Sequence, residues 1–84
     1  MNKPDPKKKY INFEDMHDDG IGGVTEITEA EFIALEPYRA DLENCNPLPD
    51  NEDSLIETIM ERDRDEDMDV DSLTEENSLL FRIC

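Results

Sequence analysis

Tryptophan is absent from this chain of 84 residues, histidine occurs once, cysteine twice and glycine three times. Each scarcity excludes something. One histidine, His17, beside Asp15, Asp18 and Asp19 does not supply the three or four placed ligands a zinc site needs. It reads as part of a polar surface loop. Gly20-Ile21-Gly22-Gly23 lacks the spacing and the basic residue of a phosphate-cradling loop. Two cysteines, Cys45 and Cys84, make no disulfide framework, and neither has a spaced His or Cys partner. Both thiols are expected free in a reducing cytoplasm. No apolar run is long enough to span a bilayer, and nothing near Met1 reads as a secretory signal.

Apolar residues are also sparse. Leu, Ile, Val and Phe total 19 of 84, just above the roughly 20% below which a highly charged chain tends to stay disordered. A domain this small buries only about 60% of its unfolded surface, so the core is thin. A preorganised active site is hard to build on it. Carboxylate pairs are too common here to mark acid–base catalysis. The chain is therefore expected not to be an enzyme and to carry no cofactor or metal.

What is present is negative charge: 24 Asp and Glu against 8 Lys and Arg, a formal net charge of −16. Such a chain repels nucleic acid and anionic membranes and attracts basic partners, most of which handle nucleic acid.

Residues 1–7, with two prolines, are expected to be a flexible arm ahead of a single small acidic domain over 8–84. Ile11 and Phe13 alternate as in a strand, and Val24 to Ile27 offers a hairpin partner across a turn-rich loop. Thr28 and Glu31 form a capping-box pair opening a helix whose apolar side is Phe32, Ile33 and Leu35. Pro37 breaks that helix and starts another, with Tyr38 and Leu42 inward. After the stiff segment Asn46 to Asp50, Leu55, Ile56, Ile59 and Met60 make a helical apolar stripe. Leu79, Phe81 and Ile83 alternate as a closing strand. The fold class expected is α+β: a small single domain of short antiparallel strands, the first and last paired, with two or three short helices.

Residues 50–76 hold 13 of the acidic residues and only two basic ones, Arg62 and Arg64. Asp63, Asp65, Asp67, Asp69 and Asp71 recur every second residue. In an extended segment they share one face, roughly 6.8 Å apart, a row that can imitate a nucleic-acid backbone. The same aspartates resemble the first positions of an EF-hand loop, but Met68 stands where that loop needs Gly and Thr74 where it needs Glu. A charge run is also often only a solvated face. The candidate partner-binding residues are Glu52, Asp53, Glu57, Glu61, Asp63, Asp65, Glu66, Asp67, Asp69 and Asp71, with Tyr38, Leu48 or Met68 as apolar anchors.

Two stretches resemble the immunity proteins of DNase bacteriocins. Thr28 to Leu35 is similar to the start of their first helix, and Cys45-Asn46 with Glu52 to Ile59 to their second. The resemblance implies a four-helix bundle whose acidic second helix blocks a basic nuclease, with Glu52, Asp53, Glu57 and Glu61 near the inhibitory face. The family's Tyr-Tyr segment is missing; Asn77 to Arg82 stands instead.

The function expected from the sequence is a small cytoplasmic acidic inhibitor that mimics nucleic-acid phosphates and binds a basic partner such as a nuclease or repair enzyme. Phage-type counter-defence, anti-CRISPR or anti-restriction, fits this size and charge. The alternatives are an immunity protein for a nuclease toxin and a partly disordered acidic adaptor of a transcription or replication factor.

Overall fold

Alternation of side chains across one short strand organises the molecule. The computed structural model describes residues 3–15 and 22–83. Strand β1, Lys9–Asp15, lies in the centre of a three-stranded sheet, with β2, Gly23–Ile27, on one side and β3, Ser78–Ile83, on the other. Ile11 and Phe13 are buried on one face of β1. Ile11 is level with Thr25 and Leu79, and Phe13 with Phe81, whose rings meet edge to face at 5.7 Å between centroids. Side chains level with one another on neighbouring strands share a face, so this face becomes the floor of the core.

The β1–β2 pair is antiparallel, the expected hairpin, but β1 and β3 run parallel. The expectation of antiparallel strands throughout is thus corrected. Alternating apolar residues fix which face a strand buries, whichever way the strand runs. Direction follows from the connection: β2 ends with Ile27 level with Lys9, and β3 starts with Ser78 level with Tyr10. The 50-residue excursion between them leaves and re-enters at one end of the sheet, so β3 runs opposite to β2 and therefore parallel to β1.

That excursion carries the helices. Helix α1, Glu29–Leu35, opens with the expected capping box: the Glu31 N–H donates to Thr28 Oγ1 at 3.1 Å and the Thr28 N–H donates to Glu31 Oε1 at 2.8 Å. Pro37 ends it in a 3-10 turn, Glu36–Tyr38, which runs into α2, Arg39–Glu43. Helix α3, Asp50–Met60, has acidic Asp50, Glu52 and Asp53 in its first turn, a favourable placement against the helix dipole. Phe32, Leu35, Leu42, Ile56 and Ile59 meet Ile11, Phe13, Ile27 and Leu79 in one core, with Phe81 and Ile83 packed against it. This is a mixed sheet with helices, not the four-helix bundle that the immunity-protein resemblance implies. Ile33, expected on the apolar side of α1, is 60% exposed.

Cys45 is disulfide-bonded, and the chain's other cysteine, Cys84, is outside the described residues. The expectation of two free thiols is therefore corrected. Cys45 has φ +60° and follows the cap of α2, where the Asn46 N–H donates to the Asp41 carbonyl at 2.9 Å. This is the helix-ending turn that ordinarily takes glycine. His17, Asp18, Asp19 and Gly20 also lie outside the described residues.

Candidate functional site: an acidic stripe on helix α3

Helical geometry sorts the acidic residues of α3 into two groups. Asp50, Asp53 and Glu57, continued by Glu61 at the helix cap, are all exposed. Their spacing of three, four and four residues keeps them on one face, rising about 16.5 Å at 1.5 Å per residue. Glu52 turns toward Leu55, Ile56 and Ile59 and is half-buried, so it is not part of the stripe. Asp50 is the member that reading the sequence overlooked. The three-then-four spacing to Asp53 and Glu57 was the signal.

The aspartates that follow do not form the expected row. Asp65 makes an isolated antiparallel bridge to the outer edge of β2, with the Val24 N–H donating to the Asp65 carbonyl at 3.1 Å and the reverse bond at 2.8 Å. Past it the chain turns. Asp65 Oδ1 accepts from the Asp67 N–H at 2.9 Å, and Asp69 Oδ1 accepts from the Asp71 N–H at 3.2 Å, leading into a 3-10 turn over Val70–Ser72. The physical reason is the spacing itself. An aspartate folds its chain by accepting from the backbone two residues on. Asp63, Glu66, Asp67 and Asp71 are exposed, while Asp65 and Asp69 are half-buried. No group of three or more His, Cys, Asp or Glu among the described residues is placed to hold a metal ion. The suggested anchors Tyr38, Leu48 and Met68 are each half-buried, and Leu48 packs on the core.

The cations near the stripe face inward. Arg62 donates to both Glu31 oxygens, Nη1 to Oε1 at 2.7 Å and Nη2 to Oε2 at 2.6 Å. These bonds hold the Glu31 carboxyl below the usual carboxylate range; burial opposes them and the Thr28 N–H and hydroxyl assist. The same pair raises the Arg62 guanidinium above its ordinary value. Arg64 donates to the Met60 carbonyl at 2.7 Å and lies 5.1 Å above the Phe13 ring. Both arginines of the acidic stretch are thus spent on tying it to α1 and the sheet. Among the described residues, none of Asp50, Asp53, Glu57 and Glu61 is in an ion pair.

Chemically, then, the stripe is a row of solvated carboxylates on a packed helix; a separate open groove of about 640 Å³ is lined by Asp63, Asp65, Glu66 and Asp67 with Tyr10 and Arg64 among others. The stripe offers hydrogen-bond acceptors and negative charge. No family model, curated protein or solved structure matches the chain. Among the described residues no helix is long and apolar enough to cross a membrane.

Proposed function

We propose that the protein is an acidic inhibitor, not an enzyme, which occupies the phosphate-binding surface of a basic nucleic-acid-handling protein such as a nuclease or repair enzyme. The observation that carries the reading is the α3 stripe. Four carboxylates stand on a helix anchored by Ile56 and Ile59, while the neighbouring arginines bond inward. One strand of duplex DNA carries a charge about every 3.4 Å of axis; the stripe carries one about every 5.5 Å, with exposed Asp63, Glu66 and Asp67 beyond its end. A partner groove so filled can no longer release counterions by taking up DNA. Charge supplies fast, salt-sensitive association.

A phage-type counter-defence role, anti-restriction or anti-CRISPR, fits this mechanism. An immunity role would differ only in the partner, a nuclease toxin. The setting we propose is the cytoplasm. There most thiols are held reduced, so the proposal requires the fold to survive opening of the Cys45 disulfide.

The test is DNA cleavage by a panel of restriction, CRISPR and toxin nucleases, with wild type and with a variant joining Asp50→Asn, Asp53→Asn, Glu57→Gln and Glu61→Gln. Wild type should inhibit a panel member at 50 mM salt and weaken at least tenfold by 300 mM, and the variant should lose at least tenfold. Equal inhibition by wild type and variant would remove the stripe from the mechanism.

A further inference from the structure

The most exposed large apolar side chain among the described residues is Ile33, 60% exposed at the middle of α1. It borders an open groove of about 490 Å³ whose floor includes the buried ring of Phe32. Glu29 lies one turn before Ile33 and Glu36 about one turn after it; both are exposed and both line the groove. Exposed Glu75 and Glu76, from the turn before β3, close the other side.

Two cations are also present, but their donors point at backbone. Lys9 Nζ donates to the Glu76 carbonyl at 2.8 Å, and Arg39 donates to the Glu75 carbonyl at 2.6 Å and the Ser78 carbonyl at 3.1 Å. Both stack over Phe32, at 4.9 Å and 5.9 Å from its centroid. They pin the 75–78 turn to α1 and leave the four glutamates without an ion pair among the described residues. The groove thus holds an apolar point among four carboxylates and two cations, with the carboxylates in excess and the cations' donors turned to backbone.

We infer that this groove is a second contact for the basic partner, taking a Lys/Arg-rich segment that carries one aliphatic side chain: the aliphatic group covers Ile33 and its basic neighbours meet Glu29, Glu36, Glu75 and Glu76. The inference rests on the proposed reading that the partner is basic. It adds what the α3 stripe lacks, because charge alone steers, whereas affinity concentrates in apolar contacts ringed by polar ones. The complementarity is one of sign: Glu29 on α1 and Glu36 at its cap stand about one turn to either side of the isoleucine, roughly 5–6 Å away, within reach of the long side chains of basic residues flanking an aliphatic one.

The test uses two peptides, Lys-Arg-Lys-Leu-Lys-Arg-Lys and the same with Ser for Leu, titrated into the ¹⁵N-labelled protein at low salt. The leucine peptide should shift the amides of Ile33, Glu36, Glu75 and Glu76 and bind at least about fivefold tighter than the serine peptide. Ile33→Ser, at an exposed site, should leave the thermal melt unchanged and abolish that preference while keeping the serine peptide's affinity. Equal affinities of the two peptides for wild type, or an undiminished preference in Ile33→Ser, would overturn the inference. Shifts confined to α3 would overturn it and leave the proposed function standing. No binding of either peptide anywhere would count against both.

Discussion

Glu31 joins three parts of the chain, and removing its charge measures how firmly the acidic stretch is tied down. Its carboxylate takes two bonds from Arg62, 31 residues away, and one from the Thr28 N–H. The glutamate side chain is 11% exposed and the arginine 36%. Breaking a fully buried pair costs about 3–5 kcal/mol; solvent at the arginine reduces that here. Glu31→Gln keeps an oxygen for Thr28 and one bond from Arg62 but loses the second bond and the carboxylate charge, so it should cost about 1–2 kcal/mol. Glu31→Ala also forfeits the cap, about 1 kcal/mol more. Each kcal/mol lowers Tm by roughly 4–8 °C in a domain of this size.

The pH dependence has a definite sign. The folded Glu31 carboxyl is held below its ordinary value of 4.5, chiefly by the Arg62 bonds. Its contribution is therefore complete above the unfolded value and is lost as pH falls through the lower, folded one. The stability difference between wild type and Glu31→Gln, from urea melts followed by circular dichroism, should be constant from pH 7 to about 5. It should persist just below the unfolded value and shrink at still lower pH. A difference under about 0.5 kcal/mol at pH 7, or one that grows on acidification, would refute the reasoning.

Reduction of the Cys45 disulfide should destabilise the fold by about 2–4 kcal/mol yet leave a cooperative melt; under reducing conditions Cys45→Gly should be about 1 kcal/mol more stable than wild type, because φ is +60° at that position. Paired melts with and without a phosphine reductant check both. Gly23→Ala should cost at least about 1–2 kcal/mol by the same melts, since Gly23 has φ +128° and an added Cβ would lie 3.1 Å from the Arg64 Cβ.

What the sequence disclosed was local. The alternation at Ile11 and Phe13 and at Leu79, Phe81 and Ile83 marked the first and last strands, and the Thr28–Glu31 pair marked the start of α1. Pro37 marked its end. Each signal depends on residues within one or two turns of each other. The parallel direction of β3 depends instead on how 50 intervening residues return, which no short window holds. The Glu31–Arg62 pair is similarly remote. Ile33 was misplaced because a helix of seven residues with two buried apolar positions, Phe32 and Leu35, fills its core contact without a third. The aspartate repeat was misread for a different reason: spacing by two serves both a strand face and a chain that turns on its own side chains. The bonds at Asp65 and Asp69 select the second.

That choice moves the weight of the candidate site from the repeat to α3. Asp65 and Asp69 use side-chain oxygens to fold their own loop, so part of that charge has a structural job. In the stripe, Asp50 and Asp53 sit favourably against the helix dipole in the first turn, but Glu57 and Glu61 have no such role. Neither Asp53, Glu57 nor Glu61 bonds through its side chain to any described group, and Asp53–Glu57 and Glu57–Glu61 are like-charge pairs four residues apart, each costing the helix about 0.2–0.5 kcal/mol. In a chain already at −16, these carboxylates add to the self-repulsion that opposes folding. Solubility alone would be served by charge anywhere on the surface. Charge aligned on one rigid face, unfavourable to the helix at Glu57 and Glu61 and with the nearby arginines engaged elsewhere, is an arrangement that an external cationic surface would stabilise.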